Sequence, residues 1–394
     1  MNKPGIIIGI LREISNFAII KYFIRIGIEV TVFDNDPEAP GFFIPGVQKK
    51  LITPDPETSP VAFIEFMLEF GAKNPGNVLL INDDPASQLI AENRGDLKKY
   101  FRILVPDGLL NEMAFDKAKT SLALEKYMVP APKTYVLTNF VDNFKKTEIE
   151  FPLVLKPRSS GGSRGQFFVN NRRELNSALD KIGDKKPSYI AQEWIPGDVT
   201  SLCNLAVLFD HKSEPKAVFT CRKLSTMRSK HIYQGIATYY ISEKIPEIIN
   251  IGLDFFKKIK WQGLAELEFK YDKRDAKFKM FEINPRVWAW IRLPMECGVN
   301  FPKIYYDLQS GENVELQCEF RSGVTLLRTV IDSYSLYNKY KDGEIKFSAL
   351  CGNVIKKYSR LVLHPKENIV EELPWNSPNM RWISFYMKRL KKYG

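Results

Sequence analysis

The sequence predicts a mixed α/β protein, in which an open parallel sheet at the N-terminus precedes a larger α+β region. A strand, a helix and a second strand follow one another within residues 5–36, which is the pattern of a βαβ unit. Two strands with alternating acidic residues form a hairpin within residues 263–286. Hydrophobic residues make up 44% and charged residues 26% of the 394 residues, a balance typical of folded proteins, and this length suits two to three domains.

The composition argues against several classes of protein. No apolar run approaches the roughly 18–20 residues that a membrane-spanning helix needs. No small-residue cleavage site follows the first strand, so a secretory signal is not expected. The five cysteines are widely spaced and the chain has three histidines, which argues against a disulfide framework and a Cys/His zinc site. We therefore expect a reducing, cytoplasmic location.

The chain is basic, with a formal net charge of +11. This charge favours acidic partners such as phosphorylated metabolites, nucleic acid or anionic lipid, and does not decide among them. No nucleic-acid-binding motif accompanies the charge, so we expect no nucleic-acid partner. Near the C-terminus, Trp382, Phe385, Tyr386 and Leu390 lie beside basic residues, which suits either a helix at a membrane surface or a helix docked on the protein. A homodimer is also left open.

The N-terminal elements alternate between strand and helix. Strands are expected over residues 5–10, 29–36 and 77–84, and helices over residues 14–26 and 63–70. This order predicts an open parallel sheet with right-handed crossovers. In such sheets the loops at the carboxyl ends of the strands face a ligand.

The loop after the first strand does not fit a dinucleotide site. It has a single glycine, Gly9, where the dinucleotide motif needs three, and Asp34 by itself is a weak indication of a ribose-binding acid. Arg12, at the start of the following helix, suits a contact to a substrate carboxylate or an exposed surface position equally well.

Strands and helices also alternate in the rest of the chain, and no long linker separates them. We expect helices over residues 112–127, 172–182 and 245–259, and strands within residues 128–137, 151–157, 189–197, 201–210 and 217–224. Strand-like and turn segments are expected beyond residue 311. We divide the chain into residues 1–112, 113–195, 196–310 and a C-terminal extension, 311–394.

The strongest chemical signal is the hairpin that carries Glu266, Glu268, Glu282 and Asn284. If the hairpin is symmetric about Asp275, Glu268 faces Glu282 and Glu266 faces Asn284, and all four share one face. The apolar positions on the other face suit a core: Leu267, Phe269, Phe281 and Ile283. Opposed carboxylates repel, and a cation such as Mg²⁺, which prefers oxygen ligands, would relieve the repulsion. Exposed acids on a surface hairpin are the alternative.

A second signal is the glycine-rich loop that follows a strand ending at Lys156. The loop reads Arg-Ser-Ser-Gly-Gly-Ser-Arg-Gly over residues 158–165. Such a loop suits phosphate binding through backbone N–H groups, because glycines allow close approach. It is not a Walker loop, and an ordinary turn is the alternative.

Taken together, these segments resemble the ATP-grasp superfamily of carboxylate–amine ligases, especially the branch of carbamoyl-phosphate synthase-like and D-aspartate ligase-like proteins. The resemblance covers residues 5–310 and rests on the order of DKAKT, FPLVLKP, SSGGSRG, AQEWIPGD, FTCRKL, GLAELEFK and FEINPR. It implies a pre-ATP-grasp α/β domain at residues 1–112. Two ATP-grasp subdomains would follow and clamp the nucleotide, a lid subdomain at 113–195 and a metal-binding subdomain at 196–310.

The resemblance also implies which residues bind ATP. Lys117 and Lys156 would contact the phosphates. The loop would close over the phosphates as a lid through Ser160, Gly161, Gly162, Ser163 and Gly165. The adenine pocket would be lined, largely by backbone groups, by Glu193, Trp194 and Ile195. Relatives usually place a second acid where Val199 stands, so Asp198 would hold the ribose hydroxyls or this contact would be weaker.

For the metal and the chemistry, the resemblance implies a second set of residues. Two Mg²⁺ ions, with Mn²⁺ as the alternative, would be held by Glu268, Glu282 and Asn284. Arg286 would stabilise the transferred phosphoryl group, and Arg222 and Lys223 would lie near the γ-phosphate and the substrate. The implied reaction phosphorylates a carboxylate to an acyl phosphate, which an amine then attacks to form an amide. The small-molecule partners would be that carboxylate and that amine. A phosphotransferase without an amine acceptor and a non-catalytic nucleotide-binding module are the alternatives.

Overall fold

The computed structural model describes residues 3–11, 14–137, 150–159, 165–227 and 236–371. Within these ranges, no helix combines the length and the apolar character that crossing a bilayer requires. The aromatic and basic stretch around residues 382–390 lies outside the described residues, so the two interpretations of that stretch both stay predictions.

The N-terminal region forms a parallel sheet with strand order β3-β2-β1-β4, which confirms the predicted open α/β architecture. The strands are β1 (Ile6–Gly9), β2 (Val30–Asp34), β3 (Lys49–Ile52) and β4 (Val78–Ile81). The helices are α1 (Ser15–Arg25), α2 (Pro60–Lys73), α3 (Asp84–Glu92) and α4 (Arg94–Leu97), and a 3₁₀ turn covers Pro40–Phe43. The sequence analysis did not predict β3, because this edge strand is largely exposed and lacks an alternating pattern.

Helices cover both faces of this sheet, so its strands are buried on both sides. Ile6 and Ile8 pack into a core shared with α1 and with the large central sheet, whereas Ile7 packs with Phe63 and Met67 of α2. The strand order reverses between β1 and β4, and in open α/β sheets ligands bind outside the carboxyl ends at such a switch point. The sheet therefore presents the loop after β4 to the rest of the chain.

A second, four-stranded antiparallel sheet has the order β5-β8-β6-β7. Its strands are β5 (Thr134–Val136), β6 (Leu153–Pro157), β7 (Phe167–Val169) and β8 (Tyr189–Glu193). Helix α7 (Arg172–Ile182) packs on one face, and a 3₁₀ turn (Gly183–Ser188) follows it. The opposite face is turned toward the third sheet.

The prediction of a single helix over residues 112–127 was wrong, because the structure has two helices there. These are α5 (Gly108–Phe115) and α6 (Lys117–Lys126). Asp116 separates them with an extended backbone (φ −93°, ψ 106°), and its carboxylate accepts hydrogen bonds from the amides of Ala118 and Lys119. An aspartate at such an N-cap stabilises the helix that follows it.

The central sheet has seven strands in the order β13-β12-β9-β10-β11-β14-β15. The strands are β9 (Leu202–Phe209), β10 (Pro215–Thr226), β11 (Ala237–Ser242), β12 (Gly263–Asp272), β13 (Lys277–Asn284), β14 (Thr325–Leu327) and β15 (Asn368–Val370). The helices are α8 (Pro246–Lys258), α9 (Arg292–Cys297), α10 (Phe301–Ser310), α11 (Thr329–Lys341) and α12 (Phe347–Leu363), and a 3₁₀ turn covers Val199–Ser201. One face packs on α8, and the other packs partly on the N-terminal region and partly lines a cavity.

The C-terminal extension differs from the prediction of strand-like and turn segments. It contributes the last two strands at one end of the central sheet, β14 and the edge strand β15, and the two helices α11 and α12. The sequence of α11, TVIDSYSLYNKYK, is rich in β-branched and aromatic residues. Because these residues prefer strands, the sequence pattern predicted a strand-like segment where the helix forms. The division of the chain into four parts stays a prediction.

Candidate active site

A cavity of about 260 Å³ lies between the four-stranded antiparallel sheet and the central sheet. It brings together ten of the residues to which the resemblance assigns a role: Lys117, Lys156, Glu193, Trp194, Ile195, Lys223, Glu268, Glu282, Asn284 and Arg286. It does not include Arg222, Asp198 or Gly165 among its lining residues. The remaining four, Ser160, Gly161, Gly162 and Ser163, lie outside the described residues.

The acidic hairpin has the expected pairing at the end that carries the glutamates and Asn284. Glu268 lies opposite Glu282 and Glu266 lies opposite Asn284. Between that end and the turn, a β-bulge shifts the register so that Phe269 lies opposite Met280. The assumed symmetry about Asp275 therefore holds only for the acidic end.

The bulge changes the predicted role of Phe281. Leu267, Phe269 and Ile283 do face the core, but Phe281 is only partly buried and lines the cavity. The reason is the extra residue: Met280 takes the core position opposite Phe269, and Phe281 turns to the other side. There its ring lies 5.4 Å from the ammonium nitrogen of Lys156.

Lysines compensate the opposed carboxylates. The Nζ atom of Lys117 lies 3.3 Å from an Oε of Glu282, and the Nζ atom of Lys223 donates to Glu268 at 2.5 Å. Burial acts to raise the pKa of Glu282, but Lys117 and Lys156 outweigh it and hold that pKa below its usual value. The hairpin therefore keeps charged carboxylates in a place where the sequence alone suggested that a cation must relieve their repulsion.

The donor set fits Mg²⁺ in part. Two carboxylates and the Asn284 amide are oxygen donors of the kind that Mg²⁺ binds while it keeps waters and phosphate oxygens in its shell. Within the described ranges, no group of three or more His, Cys, Asp and Glu side chains is arranged to hold a metal. The residues therefore suit an ion that arrives with phosphate groups rather than a closed protein cage.

Glu266 occupies a different environment from its neighbours on the hairpin. Its carboxylate is buried and accepts hydrogen bonds from Asn204 Nδ2 at 2.6 Å and from the indole N–H of Trp290. Burial, with the negative charge of Glu268 beside it, raises the pKa of Glu266. Glu266 is thus held by donors of the sheet and the following segment.

Lys223 and Arg222 point to opposite faces of β10, as successive residues of a strand do. Lys223 is buried against Glu268 in the cavity. The guanidinium of Arg222 donates to Glu243 through Nε at 2.6 Å and Nη2 at 2.7 Å, and Nη1 donates to the Thr200 carbonyl at 2.6 Å. The structure therefore places the two residues on opposite faces of β10, and Arg222 binds Glu243 and the Thr200 carbonyl on the face opposite to Lys223.

Two ion pairs position cavity residues from outside the hairpin. Arg158, at the end of β6, donates to Asp116 through Nε at 3.0 Å, which fixes the start of α6 and with it Lys117. Asp84, at the start of α3, accepts a hydrogen bond from Nε of Arg286. The N-terminal sheet thus reaches the cavity through Asp84, because α3 begins at the carboxyl end of β4.

Part of the cavity lining is apolar and consists of Val154, Trp194, Ile195, Leu202 and Phe281. We call it the nucleotide end, because it includes Trp194 and Ile195, which the resemblance assigns to the adenine pocket. The carboxylate of Glu193 turns away from it, because Glu193 contacts Arg274 and accepts from the Lys133 amide at 3.1 Å. The Glu193 and Trp194 amides donate to the carbonyls of Lys133 and Pro152, so backbone contacts to a base are left to the carbonyl groups and to Ile195.

Asp198 is not among the described residues that line the cavity, and its ribose role stays a prediction. Its carboxylate accepts from the Thr200 amide at 2.9 Å and from the Thr200 hydroxyl at 2.6 Å, and so caps its own turn. These hydrogen bonds hold the pKa of Asp198 below its usual value. Gly165 has φ +69° and an added Cβ would lie 2.9 Å from the Tyr189 hydroxyl, so the backbone there suits glycine, and its phosphate contact also stays a prediction.

Several cavity residues escaped the sequence analysis, among them Lys270, Gln166 and Arg328. Lys270 lies with its ammonium 4.3 Å from the Trp194 ring centroid, and burial lowers its pKa to about 8. Its signal was present, since the alternation of Glu266 and Glu268 continues to position 270. Gln166 and Arg328 carried no local signal, because each lies next to a strand of only three residues, β7 and β14.

The charges around the cavity favour an anionic ligand. Among the described residues, six cationic side chains and four carboxylates line it, which leaves an excess of +2. Such a site concentrates anions.

Comparisons with known proteins agree with this architecture. D-aspartate ligase from Enterococcus faecium (strain Aus0004) is 29% identical over 382 residues, which cover 87% of this chain and 85% of that protein. The structure of N5-carboxyaminoimidazole synthetase from Staphylococcus aureus is similar with a TM-score of 0.64 at 15% identity, over 86% of this chain and 87% of that one. The structure of L-amino acid ligase from Bacillus licheniformis is similar with a TM-score of 0.60 at 19% identity, over 82% of this chain and 78% of that one.

The two structural similarities concern the fold, since both identities are below 20%. The sequence match is more specific: residues 114–289 match the family model of the ATP-grasp domain. These residues include α6, the four-stranded sheet and the acidic hairpin, and so most of the cavity wall. The chain is therefore similar to ATP-grasp ligases, and its residues 114–289 match the ATP-grasp domain.

Proposed function

We propose that this protein is an ATP-dependent ligase that activates a carboxylate as an acyl phosphate and joins it to an amine. The observation that carries the proposal is the single cavity in which three lysines and Arg286 meet the opposed pair Glu268 and Glu282 beside an apolar slot. Phosphoryl transfer depends on positioning and on charge neutralisation, and this cavity supplies both. Because the reaction consumes ATP, a cytoplasmic location is part of the proposal.

ATP would bind with its base in the nucleotide end of the cavity. Val154, Leu202 and Phe281 would offer apolar surfaces to a purine, together with Trp194. Lys117 and Lys156 line the same cavity and would contact the phosphates. The lid role of Ser160, Gly161, Gly162 and Ser163 stays a prediction, because these residues lie outside the described ranges.

Glu268, Glu282 and Asn284 would hold Mg²⁺ together with the phosphates. When bound, Mg²⁺ supplies neutralisation of the charge that develops on the transferred phosphoryl group. One or two ions and replacement by Mn²⁺ are compatible with the same donors.

The chain's own residues would act at defined places in the reaction. The lysines orient the triphosphate, so that the substrate carboxylate oxygen attacks the γ-phosphorus and ADP departs. Arg286, held by Asp84, lies beside the hairpin and would neutralise the acyl phosphate oxygens. The amine then attacks the acyl carbon, inorganic phosphate leaves with one former carboxylate oxygen, and the amine loses a proton.

The similar proteins suggest amino acids as substrates. D-aspartate ligase and L-amino acid ligase both carry an amino acid in their names, and the former aligns with most of this chain. The first experiment is therefore a screen for ADP release, with D- and L-aspartate and other amino acids as acids, paired with amino-acid amines. An amide product together with ADP supports the proposal.

The alternatives give different products in the same screen. A phosphotransferase would leave a stable phosphorylated acid without amide, and a binding module would release no ADP. With an ¹⁸O-labelled carboxylate, the acyl phosphate route transfers one label to inorganic phosphate. Unlabelled phosphate, or AMP and pyrophosphate as products, would refute the route even if an amide forms.

A further inference from the structure

One wall of the cavity comes from outside the ATP-grasp domain. Arg328 lines the cavity, yet it lies in the C-terminal extension, beyond the range 114–289 that matches the family model. Its side chain is buried, with a relative exposure of 4% for the residue. A buried guanidinium is costly to desolvate, so its position on a cavity wall calls for a partner inside the protein and suits a ligand in the cavity.

The internal partner of Arg328 is Glu371. The parallel pairing of β14 with β15 sets Leu327 beside Val370, and the next residues in each strand are then Arg328 and Glu371. Nε of Arg328 donates to Glu371 at 2.8 Å, and Nη1 donates to the Ala237 carbonyl at 3.4 Å. The guanidinium plane is thereby fixed, and Glu371 does not itself line the cavity.

Arg328 lies at the far end of the cavity from the nucleotide end. The Arg328 amide donates to the Thr238 carbonyl, which places it beside β11, the strand next to β10. Two strand spacings, about 10 Å, therefore separate its backbone from the strand that carries Lys223. Tyr240 stands between them, since it pairs with Lys223 on one side and Leu326 on the other.

We propose that Arg328, oriented by Glu371, binds a substrate carboxylate other than the one that is phosphorylated. Arg328 would then be the residue by which the C-terminal extension contributes to substrate selection. This inference rests on the proposed ligase function and deepens it, because it names the chemical group by which the substrate is chosen.

The chemistry of arginine favours this reading. A guanidinium carries five N–H donors and pairs well with carboxylates, so Arg328 can contact a ligand carboxylate while it stays bound to Glu371. ATP phosphates would be held by the lysines and Arg286 at the hairpin, whereas Arg328 lies several strands away. The part of the cavity that lies outside the shared ATP-grasp domain is also the part that is free to differ between ligases with different substrates.

The second carboxylate has two sources, which kinetics can separate. It belongs either to the acid substrate, as in a dicarboxylate, or to an amino acid that serves as the amine. The donor arm compares aspartate with β-alanine and alanine, each of which lacks one of its carboxylates. The acceptor arm compares an amino-acid amine with its carboxamide.

The variants are Arg328→Met, Arg328→Lys and the double variant Arg328→Met/Glu371→Gln. The double variant is included because the single change Arg328→Met leaves the buried Glu371 carboxylate without Arg328, which could prevent folding. Arg321→Met is the matched control. Arg321 donates to the backbone at Glu296 and Lys366 and so anchors the same extension, but it does not line the cavity.

We expect the Arg328 variants to raise KM about tenfold or more for the carboxylate-bearing substrate in one arm, since a charge-assisted pair is lost. The KM for ATP should stay within about twofold, and Arg321→Met should change neither. An unchanged KM in both arms, or an equal rise in the KM for ATP, overturns the proposal.

If no pair of substrates yields ADP, the ligase function fails while this inference remains testable. Calorimetry of aspartate binding to the full chain with ADP then decides it. Binding that weakens in Arg328→Lys and in the double variant but persists in Arg321→Met supports the carboxylate site. Binding that is absent, or indifferent to Arg328, overturns it.

Discussion

The lysines and the arginines of the cavity are held in different ways. Lys117 and Lys223 contact Glu282 and Glu268, the same carboxylates that we propose as metal ligands. Arg286 and Arg328 are held by Asp84 and Glu371, which do not line the cavity among the described residues. The lysine contacts are therefore open to exchange when ATP and a metal enter, whereas the arginines keep their orientation throughout.

The largest effect should come from the carboxylates that contact the lysines, with Glu282→Gln. This change removes a charge without changing the shape, and the apolar core lies on the opposite face of the hairpin. We expect ATP turnover to fall about a hundredfold or more, because preorganised charge at the phosphates is lost. The measurement is steady-state ADP release with circular dichroism to verify folding.

Glu243→Gln is the control for this experiment, because Glu243 pairs with Arg222 away from the cavity. Its turnover should remain within about threefold of the unchanged protein. Normal turnover by a folded Glu282→Gln protein at limiting Mg²⁺ would contradict the metal assignment.

The next effect contrasts two neighbours on one strand. Lys223→Met should lower turnover about a hundredfold, because it removes an ammonium beside Glu268. Arg222→Met should leave turnover within about threefold and lower the free energy of unfolding by about 1 kcal/mol, since its partly exposed ion pair contributes to stability. Kinetics and urea denaturation of both variants test this, and equal losses of turnover would contradict the opposite orientation of the two side chains.

A smaller effect is expected for the carboxylates that orient the arginines, with Asp84→Asn. Asp84 orients Arg286 and does not line the cavity, so we expect kcat to fall about tenfold while the KM for ATP is unchanged. Ser87→Ala is the control on the same helix, since Ser87 donates only to the Pro285 carbonyl at 3.2 Å. If Asp84→Asn raises the KM for ATP and leaves kcat intact, the positioning role is wrong.

The smallest effect is a pH dependence that separates lysine from arginine chemistry. Burial lowers the pKa of Lys156 to about 8, so its ammonium is charged below that pH and loses its proton above it. ATP affinity should therefore be constant below pH 8 and fall by at most about tenfold per pH unit above it. In Lys156→Arg, whose guanidinium stays charged, titration calorimetry should find this decline abolished. The same decline in both proteins would assign it to another group.

The sequence alone was sufficient for the parts of the site that are local. The strands of the acidic hairpin are separated by a short turn, and alternation placed Glu266, Glu268, Glu282 and Asn284 on one face with the observed pairing. The parallel N-terminal sheet followed from the same kind of pattern, because buried strands and amphipathic helices leave periodic signals. The resemblance added Lys117, Lys156, Lys223 and Arg286, and all of them line the cavity.

Tertiary structure decided what depends on distant partners or on single-residue geometry. One extra residue in β13 turned Phe281 from the core to the cavity, and Arg222 pairs with Glu243 on the face of β10 opposite to Lys223. The contact between Asp84 and Arg286 joins residues 202 positions apart. No periodic pattern encodes such a contact, because the energy comes from the packing of two sheets rather than from neighbours along the chain. The same reason hid Arg328, which reaches the cavity only because the short strand β14 joins the edge of the central sheet.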